Sequence, residues 1–600
     1  MNAETSGPER ADLDDQQTAA GMIPAPASRG FVRFLYSQNP FYLLSVCFVL
    51  HGTGIWYRAN ATSHSPWILF GIITSYILMM ACTGFVIVRC GQVWNDARSI
   101  LLILLALFLE LAMTADDVLI ANRATGRAML MAAWLVAVGV SEFILIGLRI
   151  SLPSLYRVPF HLLLSLIVLY PLAIVYGDYP HDGERIAWTI FMFSPVSSLV
   201  LLTLLPAIRR GVAYAANNGT PWRWPLYPWS LFVFLLVVFL FRSYSLCLSF
   251  DPVMEVSWDQ ALALQNRFGG VFFVPVLLAL SVLCLEWALT TGSTALRRTG
   301  LLLPMLALWA SMPPGLTSNN QLYLRFVEQL AGAAISPAWF SAWASILIYL
   351  TATVRRVRST EIGLSVTLVL LAFLSPHALR PDWTGTPAAL PLSIAAFIQI
   401  AVGYRRGHAI KVFAGLLCCL VILRSSLPPE LGLMRDFIVW SLLIASALAT
   451  GISMPGGFAQ KLYQLGAALL TATCCLSPLA LTASFQRMHP AVTDAAVWLA
   501  MLFYCAASCI LWWCRRDAEM SWAAGLNLGT TLPAAIVKLG TLILRLPGGR
   551  GILWALGGLL WFALAAWISI RKARTARGNS DSTKMHDPPT PLRPQRMDPM

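Results

Sequence analysis

"ILLALFLELAMTADDVL", residues 103–119, is apolar enough to sit in lipid and yet carries Glu110, Asp116 and Asp117. With its flanks the run reaches the length of about 20 residues that a membrane-spanning helix needs. An ionised carboxylate inside a bilayer is expensive, so each of the three asks for a reason to be there.

The same apolar texture recurs along the whole chain. Of its 600 residues 58% are hydrophobic and 12% charged, and the mean hydropathy is +0.68. An ordinary soluble domain carries roughly 25% charged residues. The composition therefore predicts an all-α, polytopic integral membrane bundle, whose length counts helices rather than soluble domains.

The net charge of +14 does not point to nucleic acid, because the basic residues lie in short clusters between apolar runs and form no basic domain. The twelve cysteines sit in or beside apolar segments without zinc or redox spacing, and read as small packing residues. The sequence calls for no cofactor and no metal. It contains no phosphate-binding glycine loop, zinc-protease helix or nucleophile elbow.

Windows of about 19 residues place helices near 40–57, 67–88, 99–120, 128–149, 158–177, 187–208, 226–248 and 270–291. A second series follows near 299–316, 335–354, 361–378, 386–404, 409–424, 434–452, 462–485 and 494–514. With candidates at 526–546 and 551–570 the total is roughly 16–18 transmembrane helices. Lys538 and Arg545 share one face of 526–546, so that segment either spans or lies on the surface.

Residues 1–34 are expected to form a disordered tail, 35–570 the transmembrane domain and 571–600 a basic disordered tail. Alternate loops hold Arg209/Arg210, Arg297/Arg298, Arg355/Arg356, Arg405/Arg406 and Arg515/Arg516, while the intervening long loops are acid-tinged. Positive loops stay inside, which puts both termini in the cytoplasm. The expected location is a bacterial inner (plasma) membrane.

Depth follows from a rise of 1.5 Å per residue. A third helix starting near Ser99 and running outward puts Glu110 roughly 16 Å in, near the middle of a core about 30 Å thick. Asp116 and Asp117 come out near the outer surface, in the headgroup layer within reach of Arg123 and Arg127. Glu110, Thr114 and Asp117 are spaced by four and three and line one helix face, while Asp116 points elsewhere. Glu142 on the next helix and His51 on the first fall within the membrane as well. Glu110 and Glu142 are expected within one or two turns of each other. Arg242 is expected to snorkel to the interface, and Glu286 and His161 to be interfacial.

These residues form a candidate protonatable cluster, because intramembrane ionisable groups commonly mark proton relays and substrate sites. Interhelical hydrogen bonding is the alternative role for Glu110 and Glu142. Proline breaks in 194–199, in 301–316 and in "LYPLAIVYG" would suit a transporter. The best expectation is a secondary transporter or lipid-linked-substrate flippase whose partners are the lipid bilayer, protons and a small or lipid-linked substrate. The alternatives are a membrane-embedded transferase acting on a lipid-linked sugar or acyl donor, and a non-catalytic scaffold or complex subunit.

Overall fold

A computed structural model describes residues 48–49, 52 and 65–544, apart from 92–93, 177–181, 216–218, 220–226, 252–262, 313–320, 334, 378–381, 383–384 and 477–493. His51, most of the 40–57 segment, the 551–570 segment and both expected tails lie outside the described residues. The described residues are helical and contain no strand. The chain is an all-α polytopic membrane bundle, and its surroundings are a lipid bilayer.

Contacts gather the chain into two compact units, 1–399 and 400–600. The first holds α1 (Pro66–Gly91), α2 (Trp94–Ala121), α3 (Arg123–Gly147), α4 (Ser154–Leu169), α5 (Gly183–Leu202) and α6 (Trp229–Phe250). It continues with α7 (Val274–Thr291), α8 (Thr294–Ala310), α9 (Gln321–Ala333), α10 (Pro337–Val354) and α11 (Thr360–Ala372), and α12 (Ala389–Arg406) carries the chain into the second unit. There follow α13 (Ala409–Ser426), α14 (Leu433–Ser453), α15 (Gly457–Leu476), α16 (Asp494–Arg515) and α17 (Ala518–Leu544). Among the described residues ten helices are long and apolar enough to cross a membrane, and α4 and α11 are shorter apolar helices.

Helix α2, which contains the opening stretch, sits at the centre of the first unit between α1, α3, α4 and α6. Leu107, Leu111, Ala112, Ala115 and Leu119 on it are shut off from solvent. The turn into α3 is built from Asn122, whose side chain accepts from the backbone N–H groups of Ala124 and Thr125 at 3.1 and 3.2 Å. Gly126 follows because a Cβ there would collide with the Leu119 backbone. Cap and glycine together fold α3 back against α2 as an antiparallel neighbour.

The prolines of the three expected breaks differ in their setting, and Pro313 and Pro314 of the 301–316 segment lie outside the described residues. Pro195 and Pro304 lie inside continuous helices, whereas Pro171 begins a separate short turn after α4. A helical proline leaves the carbonyl four residues earlier without its N–H partner. For Pro304 that carbonyl belongs to Gly300, and the Ser281 hydroxyl of α7 donates to it at 2.7 Å. The absence of a side chain at Gly300 also lets α8 close on α7, since a Cβ there would press on Leu285 at 2.9 Å.

Helix α9 lies in a stretch with no expected helix. It is amphipathic, and it buries Tyr323, Phe326 and Val327 while Arg325 and Glu328 stay exposed. Phe326 packs on Phe191 and Phe268 with ring centroids 5.1 and 4.8 Å apart.

The second unit is held by Leu448, Leu470, Cys474, Tyr504 and Met520 from α14 to α17. The Ser441 and Tyr504 hydroxyls lie 2.7 Å apart, and the Trp440 indole N–H donates to Thr473 at 2.9 Å. The expected 526–546 segment belongs to α17, whose Met520 and Ala523 are buried in this core.

Candidate functional site

The helical spacing of α2 sorts its three carboxylates onto two faces. Glu110, Thr114 and Asp117 share the more open face, on which Asp117 is exposed and Glu110 half-buried. The Thr114 hydroxyl donates to the backbone carbonyl of Glu110 at 3.0 Å, a bond within its own helix. Asp116 is turned to the other side and is fully buried.

The partner of Asp116 is Arg242 of α6, also fully buried. The guanidinium grips the carboxylate in two places, Nη1 on Oδ2 and Nη2 on Oδ1, the latter at 3.1 Å. Its Nε donates to the carbonyl of Ile167 at 2.8 Å. That carbonyl is free because the residue four positions on is Pro171, which has no N–H to offer. The Pro171 break in α4 and the arginine in α6 thus complete one another.

This geometry corrects two expectations. Arg242 does not snorkel but is fully buried, and the partner of Asp116 is Arg242 rather than Arg123 or Arg127. A desolvated carboxylate and a desolvated guanidinium each need a counter-charge, and a two-pronged pair between helices supplies both at once. A second buried pair joins Asp251, just after α6, to Arg267 at 2.9 Å.

Glu142 of α3 is held by Arg157 and His161 of α4. Arg157 Nε donates to Oε1 at 2.8 Å, Arg157 Nη2 binds Oε2, and His161 Nε2 lies 2.5 Å from Oε1. The structure therefore joins Glu142 to α4 and not to Glu110. His51, the remaining member of the expected cluster, lies outside the described residues.

Glu286 of α7 is likewise no lone interfacial residue. Arg209 donates to its Oε1 at 2.9 Å, and Arg355 binds the same oxygen. One member of each of two Arg-Arg pairs thus converges on a single carboxylate from positions 77 and 69 residues away. Beside it the rings of Trp229 and Trp287 stack at 4.2 Å, Tyr156 lies edge-on to Trp229, and Tyr214 stacks on Tyr156. Aromatic side chains at this level suit the boundary between hydrocarbon and headgroups.

From Glu286 and Arg355 a cavity of about 220 Å³ runs along α7 and α10. It shares Val282, Leu347 and Ile348 with a larger cavity of about 640 Å³ that α5, α7 and α10 enclose toward the opposite end of the unit. The lining of the larger one is almost wholly apolar, and Leu199, Phe340 and Leu347 in it are more than half exposed. Adjoining along α7 and α10, they make one groove that is apolar over most of its length and has Glu286 and Arg355 at one end, with Arg209 bound to the same Glu286.

Among the described residues no three His, Cys, Asp or Glu side chains gather as a metal site would require. The chain matches no family model, no curated protein and no solved structure.

Proposed function

We propose that this chain is a secondary transporter or lipid-linked-substrate flippase in which Glu110 and Asp117 exchange protons. One contrast within the first unit supports the reading. Asp116, Glu142 and Glu286 are each answered by arginine, whereas among the described residues no arginine answers Glu110 or Asp117. Carboxylates left uncompensated on the open face of a spanning helix can load and release protons without breaking an ion pair. Thr114 between them continues the polar stripe. In this reading the arginine-rich end faces the cytoplasm of a bacterial inner membrane.

The scaffold reading draws support from the same unit, because Asp116 and Arg242 compensate each other fully and need no substrate. Proteoliposomes loaded with a pH-sensitive dye and supplied with a fluorescent lipid-linked phosphate separate the two. Transport predicts coupled proton movement that falls at least tenfold in Glu110→Gln. A folded wild type that moves neither protons nor lipid sinks the transport reading and favours the scaffold. Chemical conversion of the lipid would instead favour the transferase.

A further inference from the structure

We infer that the groove along α5, α7 and α10 is a binding site for an anionic phospholipid, with its phosphate held by Arg209 and Arg355 and its chain lying in the apolar part. As a statement of what is carried, this rests on the transport reading above; as a binding site it stands alone.

Three observations converge on it. The first is size and shape. Specific ligand sites fall at about 300–1,000 Å³, and the apolar portion holds about 640 Å³. From Val274 to Glu286 the groove follows roughly 18 Å of α7, more than half of a hydrocarbon core about 30 Å thick. Its long axis is therefore that of a lipid chain in a bilayer.

The second is lateral access. Leu199, Phe340 and Leu347 are 66%, 55% and 63% exposed. At membrane depth such residues face lipid, so a chain can slide in from the bilayer without crossing a polar barrier. The three side chains line the groove itself, which makes its wall continuous with the surrounding hydrocarbon.

The third is charge. Two guanidinium groups meet one carboxylate, so the Glu286 cluster keeps one positive charge in excess. Arg209 and Arg355 are 56% and 38% exposed, which leaves N–H donors free to turn toward a ligand. Arg210, Arg356 and Arg358 flank them in sequence, and Arg297 and Arg298 lie in the first turns of α8, directly after α7. Arginine binds phosphate oxygens in a two-pronged, planar fashion that suits a phosphodiester headgroup. Glu286 then holds the two arginines in place and competes with the phosphate for them.

That competition gives a readout a purely structural ion cluster would not produce. The full chain is reconstituted in phosphatidylcholine vesicles doped with phosphatidylglycerol bearing a diazirine on its acyl chain, and the labelled peptides are identified after illumination. The expected label falls on α5, α7 and α10, and is several-fold weaker when the diazirine is on phosphatidylcholine. Arg209→Gln/Arg355→Gln lowers it several-fold, Leu347→Trp blocks it by filling the groove, and Glu286→Gln raises it about two- to threefold.

Equal labelling by both headgroups, or labelling unchanged by Arg209→Gln/Arg355→Gln and by Leu347→Trp, overturns the site. Loss of label in Glu286→Gln overturns it too, since it makes the cluster structural only. Displacement by millimolar inorganic phosphate would assign the arginines to a soluble anion instead of a lipid. Because labelling is read without any flux, failure of transport leaves this result standing, and failure of labelling leaves the Glu110 experiment standing.

Discussion

Asp116 with Arg242 and Glu286 with Arg209 and Arg355 are built from the same kinds of group, carboxylate and guanidinium, in the same unit, and they differ in every respect that decides a role. The first is one charge against one, with both side chains fully buried and both carboxylate oxygens engaged. The second is two charges against one, with arginines that keep substantial exposure and a groove opening beside them. A sealed and balanced pair has nothing left to offer a ligand. An open and unbalanced cluster does, and the location of a charge in a membrane protein is therefore a weaker guide than its stoichiometry.

The largest expected break in this contrast comes from removing one half of the sealed pair. Arg242→Gln or Asp116→Asn should each cost about 3–5 kcal/mol, the usual penalty for leaving a buried charge alone. The Arg242 change also strips the Ile167 carbonyl of its donor. The double variant Asp116→Leu/Arg242→Met should recover part of the loss. Thermal unfolding in detergent is the check, and a double variant less stable than both singles would contradict a pair that acts mainly by mutual neutralisation.

A smaller effect is expected at the open cluster. Glu286→Gln removes the carboxylate but leaves two arginines that water can reach, so its melting temperature should fall well short of the drop seen in Asp116→Asn. A fall of equal size would erase the distinction between the two regions.

The smallest effect belongs to Ser281→Ala, which leaves the Gly300 carbonyl unanswered beside Pro304. About 0.5–1.5 kcal/mol is expected, as for single hydrogen bonds between membrane helices. Reverting the cause, with Pro304→Ala added to Ser281→Ala, should return most of it, because an alanine in place of the proline supplies the backbone N–H that the Gly300 carbonyl lacks. Failure to recover would show that Ser281 serves something other than the proline gap.

Much of the fold was legible because hydropathy is a local property. The run expected at 67–88 is Pro66–Gly91, and that expected at 434–452 is Leu433–Ser453. Helix α9 escaped because it is short and Arg325 and Glu328 on its exposed face punctuate the apolar residues along the sequence, so that no window of spanning length is apolar there. Pro195 and Pro304 misled because a proline within a helix does not by itself break it, and at Pro304 the Ser281 hydroxyl satisfies the carbonyl that the missing N–H frees.

The site was less legible, since ion pairing is long-range. The face of Glu110, Thr114 and Asp117 followed from spacing alone, but the partner of Asp116 is 126 residues away. A usable signal was present: depth counting puts Asp116 and Arg242 toward the same side of the membrane, and opposite charges at one depth seek each other. Arg209 and Arg355 looked like topology anchors because pairs of arginines on loops usually are. Their convergence on Glu286 depends on how α7 and α10 pack, which no local pattern records.

The most direct test of the contrast is one melting experiment, with wild type, Asp116→Asn and Glu286→Gln each unfolded with and without added phosphatidylglycerol. A ligand that binds only the folded state raises its stability in proportion to the logarithm of its occupancy. The expected result is a low starting point for Asp116→Asn with its lipid-induced rise intact, and a near-normal starting point for Glu286→Gln with a larger rise than wild type. A Glu286→Gln protein that melts as low as Asp116→Asn and gains nothing from the lipid would contradict the account.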